Sequence, residues 1–149
     1  MTEQRQEQHC RLRRLGLQHK KHGEGEYPAT GLLIAGQGLE GHFKGGGERQ
    51  VSLMSGACAD AITPEHKGFC VRRFFANLIL DGVDFERLEA GMTLRLGDCL
   101  LQLTQVGKEC FDDCPVASVG DPCPLRRGCA FARIERGGEI AAGMEGTIS

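Results

Sequence analysis

Apolar and polar residues alternate with a period of two in several short runs of this chain, each bounded by glycine-containing turns. The clearest is Met92, Leu94 and Leu96 interleaved with Thr93 and Arg95, followed by Gly97-Asp98 and by Cys99 to Gln105 with Leu101 and Leu103 on one face. Successive strand residues face opposite ways, so this pattern predicts a β-hairpin. Arg49 to Met54 places Val51 and Leu53 on one face and predicts another strand. Compact apolar runs at Ala29 to Ala35, Phe69 to Leu80 and Cys129 to Arg136 read as further strands, as does Arg11 to Gln18. Gly137-Gly138 turns into a last short segment through Ile140.

Helical patterns are few. Ser55 is placed as an N-cap for a short helix over Gly56 to Ile62, which must stop before Pro64, with Cys58 packed inward. Asp84 to Glu89 suits one helical turn before Gly91. Residues 1–10 show no periodicity and read as a disordered tail, and His19 to Glu26 as a charged loop. The chain has 22 glycines in 149 residues, twice the usual ~7% share, which fits short strands joined by many turns. The fold expected is mostly β and barrel-like.

Composition narrows the functional classes. A net charge of −2 lacks the basic footprint of a nucleic-acid binder. No apolar run is long enough for a signal sequence or a membrane-crossing helix, so a cytoplasmic location with no membrane partner is expected. In a reducing compartment the eight cysteines are thiols or metal ligands rather than disulfides.

The candidate chemistry centres on Leu103 to Cys114, where a strand-like run ends at Val106, turns at Gly107 and delivers Lys108, Cys110 and Cys114. The thiolate is the reactive and metal-binding form, and a neighbouring ammonium such as Lys108 favours it. Downstream, Pro115, Gly120, Pro122, Pro124 and Gly128 mark a long loop of the kind that often carries function. Gly36-Gln37-Gly38-Leu39-Glu40-Gly41 matches G-x-G-x-x-G, but the glycines that follow cannot start the helix a dinucleotide site needs. The glycine-rich stretch carrying Lys44 and ending at Arg49 suits an anion cradle or a plain surface loop. Asn77, inside an apolar run, must either brace a loop or touch a ligand.

Gly38-Leu39-Glu40-Gly41, Arg49-Gln50-Val51-Ser52-Leu53, Arg73-Phe74 with Ala76-Asn77-Leu78, Gly91 to Gly97, and Thr104-Gln105-Val106-Gly107-Lys108-Glu109-Cys110 occur in the order and spacing of the MOSC domain. That domain is named after the C-terminal part of molybdenum cofactor sulfurases, and the chain resembles a small standalone member from about Leu12 to Ile148. The resemblance implies a MOSC-type β-barrel with a few short helices, forming a single domain over residues 11–149. It also implies a role with molybdenum cofactor (molybdopterin), in which Cys110 carries sulfur as a persulfide or ligates molybdenum. Arg49, Arg73, Arg126 and Lys108 are then candidate contacts to the pterin phosphate, Asn77 and His42 further cofactor-side residues, and Cys114 and Cys123 additional thiols. Partners implied are a cysteine desulfurase or a molybdoenzyme, and some relatives reduce N-hydroxylated compounds. The chain departs from the family pattern in having Gly41-His42 without an intervening aspartate, and Ala76 where an acidic residue is usual.

Two other readings compete. Cys110, Cys114, Cys123 and Cys129 could hold structural Zn²⁺ or an Fe–S cluster, although their spacing lacks the usual short pairs. Alternatively the chain is a non-catalytic adaptor for molybdoenzyme maturation. A cysteine hydrolase pairing Cys110 with His42 or His66 is weaker, since nothing in the sequence brings either histidine to the thiol.

Overall fold

The computed structural model describes residues 7–20, 23–43, 45–61, 75–107 and 128–149. Its strands are β1 (Gln8–Leu15), β2 (Thr30–Ile34), β3 (Gly38–Leu39), β4 (Val51–Ser55), β5 (Leu78–Asp81), β6 (Thr93–Leu96), β7 (Cys99–Val106), β8 (Cys129–Arg136), β9 (Gly138–Ala141) and β10 (Glu145–Ile148). Among the described residues, helical structure is limited to α1 (Gly56–Ala61) and a 3₁₀ turn at Phe85–Arg87. Seven strands close a barrel in the order β1-β10-β6-β7-β8-β4-β5, and β5 returns to pair with β1; β3, β2 and β9 form a separate three-stranded sheet. The mostly-β barrel expected from the sequence is the fold observed.

Most barrel neighbours are antiparallel, but β4 and β5 run parallel. Two parallel strands cannot be joined by a tight turn, and the chain between them includes α1. The Ser55 side chain accepts the Cys58 N–H at 3.0 Å, as an N-cap should. Gly56 opens the helix beside the Arg13–Asp81 pair: a Cβ there would lie 1.8 Å from Asp81 Oδ1, so the Asp81 side chain would have to move.

The barrel interior is largely leucine. Leu12, Leu15, Leu53, Leu78, Leu80, Leu94, Leu96, Leu101 and Leu103 are fully buried, and Leu33 and Ile140 from the small sheet join the same cluster. Each buries a side chain worth roughly 1.5–3 kcal/mol against exposure. The Met92–Leu103 hairpin predicted by alternation is β6–β7, with Leu94 opposite Leu101 and Leu96 opposite Cys99.

Some boundaries differ from expectation. β1 begins at Gln8 rather than Arg11, which corrects a disordered tail through residue 10, and it ends at Leu15 rather than Gln18. The reason is pairing: Gln8, His9, Cys10 and Arg11 lie opposite Ile148, Thr147, Gly146 and Glu145 of β10, a strand with too few apolar residues to be foreseen. At the other end Gly16 leaves the ladder to bond Asn77, its N–H reaching the Asn77 carbonyl at 2.8 Å. The strand expected over Phe69 to Leu80 is described only as β5; residues 69–74 lie outside the described residues, and Phe75 to Asn77 are irregular.

Candidate functional site

Strand alternation divides the buried apolar residues of β8, β4 and β5 into two sets. Ala130, Ala132, Leu53, Leu78 and Leu80 belong to the interior cluster, whereas Cys129, Phe131, Met54 and Ile79 are buried but outside it. Register makes the second set contiguous. Met54 pairs with Cys129 on one side and Ile79 on the other, and Phe131 pairs with Ser52 and with Gln105 of β7. The outer face of the β7–β8–β4–β5 wall therefore carries an apolar strip edged by Gln105, Ser52 and Asn77.

β7 leaves this wall at its upper end. Gly107 sits at φ +82°, a left-handed conformation that favours glycine, and donates its N–H to the Cys129 carbonyl at 2.7 Å. The expected turn at Gly107 is therefore present, and Cys110 follows three residues on. Lys108, Cys110, Cys114, Cys123 and Arg126, together with Arg73 and His66, lie outside the described residues. Both stretches that carry them start or finish at this wall: 108–127 joins β7 to β8, and 62–74 joins α1 to the approach of β5.

Arg49 is the sequence-predicted cation that the described residues bring here. Its neighbour Gln50 is buried and fixes the local backbone, donating Nε2–H to the Gly47 carbonyl at 2.9 Å and accepting the Ile134 N–H at 2.8 Å. From that anchor the exposed Arg49 side chain lies over the Phe131 ring, with Cζ 4.6 Å from its centroid. Its Nε–H and Nη2–H donate to Gln105 Oε1 at 3.1 and 2.6 Å. Gln105 in turn donates Nε2–H to the Gly107 carbonyl at 3.1 Å. One amide thus links the guanidinium to the point where β7 ends.

Asn77 braces the wall, one of the two roles its sequence context allowed. It is 2% exposed; its Oδ1 accepts the Ser52 N–H at 3.0 Å and its Nδ2–H donates to the Gly16 carbonyl at 3.0 Å. His42 stacks on Phe75 at a centroid separation of 5.8 Å, Phe75 in turn stacks on Tyr27 at 6.1 Å, and the His42 Nδ1 accepts the Gln18 N–H at 3.0 Å. That bond requires an unprotonated Nδ1.

Elsewhere, Arg13 on β1 donates to Asp81 of β5 (Nε to Oδ1 and Oδ2, both 2.9 Å) and to Asp60 of α1 (Nη1 to Oδ1, 2.8 Å). These bonds hold the Arg13 guanidinium still further above its already high range and the Asp60 carboxyl below the usual carboxylate range. Cys10 and Cys99 are interior thiols. Desolvation by burial pushes Cys10 up to about 11, partly offset by a bond from the Gly146 backbone, and burial together with the nearby Asp98 charge raises Cys99. Both stay protonated near neutral pH. Of the four thiols in the alternative metal reading, only Cys129 is described; it opens β8 and is fully buried. Among the described residues no cluster of three or more His, Cys, Asp or Glu side chains is arranged to hold a metal ion, and no helix is long and apolar enough to cross a membrane.

Sequence reasoning did not assign Gln105, Phe131 or Gln50 a role. The available signal was the polar pair Thr104-Gln105 breaking the alternation of β7, where the ladder shifts register between Leu103 and Gln105.

The family model for the MOSC domain matches residues 40–145. The YuaD protein from Bacillus subtilis is similar in structure, with a TM-score of 0.65 at 16% identity, covering 96% of this chain and 97% of that one. YiiM from Escherichia coli has a TM-score of 0.59 at 17% identity (93% and 69% covered), and YiiM from Geobacillus stearothermophilus 0.60 at 14% (94% and 75%). At these identities the likeness is one of fold. No curated protein sequence matches significantly. With the family model covering more than half its length, this chain belongs to the MOSC domain family.

Proposed function

We propose that this protein binds molybdenum cofactor at the β7–β8–β4–β5 wall and handles sulfur or molybdenum through Cys110. The observation that carries the reading is Arg49, an exposed guanidinium fixed by neutral groups beside the end of the strand that leads to Cys110. The residues suit the group in kind. Its phosphate needs a cation whose charge is not already compensated, and molybdenum accepts a soft thiolate. Arg49 would hold the anionic end, with Lys108, Arg73 and Arg126 as further cations, and Cys110 would face the metal. When bound, the cofactor supplies redox chemistry at its molybdenum centre.

The chain's own part is to bind, orient and activate a thiol. Lys108, two residues before Cys110, favours the thiolate. As a sulfur carrier, that thiolate attacks the outer sulfur of a donor persulfide, such as one held by a cysteine desulfurase. The new S–S bond forms as the donor's S–S bond breaks, the donor leaves as a thiolate, and oxidation states balance. Cys114 and Cys123 are accessory thiols in this scheme, while Asn77 and His42 support the wall and its approach.

The test is Cys110→Ser, purified from cells that make the cofactor. Bound molybdenum by metal analysis and labile sulfane sulfur by cyanolysis should both be lost relative to the parent. A variant that retains both sinks the assignment, and about one zinc per chain irrespective of cofactor supply would move it to the four-thiolate reading. Turnover of an N-hydroxylated compound by cofactor-loaded protein separates a reductase from an adaptor.

A further inference from the structure

Arg11, Arg13 and Arg133 all pair with carboxylates: Arg11 with Glu145 at 3.7 Å, Arg13 with Asp60 and Asp81, and Arg133 with Glu135 at 2.8 Å and Glu48 at 3.5 Å. Arg49 is held differently. No carboxylate of the described residues lies within 4.0 Å of its guanidinium, and both its hydrogen bonds go to one amide oxygen.

We propose that Gln105 is a positioning residue whose neutral oxygen fixes the Arg49 guanidinium while leaving its charge uncompensated for an anionic group of the ligand. That the group is the cofactor's phosphate rests on the reading above; the placement of Arg49 does not. The Nε–Nη2 edge is taken up by Gln105, and one face of the guanidinium is covered by the Phe131 ring. A guanidinium has five N–H donors, and two are used, so three remain. A free arginine side chain loses rotamer freedom when it binds, a cost that pre-organisation removes from the binding step. Gln105 can do this because it is itself held, through Nε2–H to the Gly107 carbonyl and through the pairing of its backbone with Phe131.

Residue type matters here. A glutamate at 105 would accept the same two bonds but bring a full negative charge to within about 3 Å of the cation, and an anionic ligand would then meet a neutralised pair. The nearest acidic residue in sequence, Glu48, points its carboxylate to Arg133. The cation is left to the ligand.

The experiment is a titration with inorganic phosphate at pH 7, following the Arg49 ¹⁵Nε–¹H NMR signal, which is assigned by its loss in Arg49→Lys. The parent protein should show a saturable shift of that signal. Gln105→Glu should weaken phosphate binding at least about tenfold through charge compensation. Gln105→Leu, which frees the guanidinium without neutralising it, should weaken it by roughly threefold through lost pre-organisation. Denaturant midpoints check that each variant folds, and Gln105→Leu decides the matter if Gln105→Glu does not. An Arg49 signal indifferent to phosphate in the parent overturns the proposal, as does equal binding by the parent and the folded Gln105 variants. The cofactor reading is tested separately by the Cys110→Ser protein, through its bound molybdenum and sulfane sulfur. Molybdenum and sulfur retention in that variant would remove the cofactor reading and leave the placement of Arg49 standing.

Discussion

Arg13 and Arg49 are both held by side-chain oxygens from neighbouring elements, and the chemistry of those oxygens separates their roles. Arg13 joins β1 to β5 and α1 through two carboxylates, so its charge is spent inside the protein. Arg49 is oriented by an amide and an aromatic face, so its geometry is fixed while its charge stays outward. A carboxylate partner marks an arginine that ties elements together; an amide partner orients one without neutralising it. The surroundings follow the same division. The Arg13 clamp crowds Gly56, so that a Cβ there would displace the Asp81 carboxylate, whereas the Arg49 side chain is exposed beside an apolar strip.

The comparison can be broken most sharply at Gly56. Gly56→Ala should push Asp81 off Arg13, and because the atoms in its way are the ends of flexible, partly exposed side chains, the loss of stability should be small, about that of an exposed ion pair. Its denaturant midpoint should fall while phosphate still shifts the Arg49 signal. An unchanged midpoint would mean that the clamp has slack that the geometry does not suggest.

A similarly small effect is expected for Arg13→Met, because the pair it removes is largely exposed and screened by salt. Its pH dependence is more informative than its size. The Asp60 carboxyl is held below its ordinary value, so it contributes stability above the usual carboxylate pKa and loses it as pH falls through the depressed value. The gap between parent and Arg13→Met in urea midpoint should therefore be widest near neutral pH and close on acidification. A gap that widens in acid would assign the effect to something other than the carboxylate clamp.

The smallest stability change belongs to Arg49→Met, within about 0.5 kcal/mol, as expected of a surface side chain engaged only with neutral groups. Binding should show the opposite order: phosphate should raise the denaturant midpoint of Arg13→Met, as it does the parent's, but not that of Arg49→Met. If Arg49→Met unfolds the chain more readily than Arg13→Met, the assignment of the two roles is reversed.

Much of the barrel was legible because its determinants are local. The β6–β7 hairpin declared itself in leucines two apart around Gly97-Asp98, β8 was bounded correctly at Cys129 and Arg136, and the Ser55 cap marked the helix start. β10 and the first residues of β1 were not legible, since Glu145-Gly146-Thr147-Ile148 and Gln8-His9-Cys10 have little apolar pattern and are strands because each is the other's partner. The site divided in the same way. Arg49 was a candidate from its place after a glycine-rich stretch, but Gln105, 56 residues away, entered only through the strand register that sets it beside Phe131.

By itself, then, the sequence determined which segments extend, where they turn, and which residue types could hold an anion or a metal. Those are properties of side-chain periodicity and chemistry within a few residues. Only the tertiary structure decided which arginine is paired with carboxylates, as Arg13 is, and which is held by an amide oxygen, as Arg49 is. The sequence contains candidate carboxylate and amide partners for every arginine, and barrel closure selects the one that lies within hydrogen-bond reach.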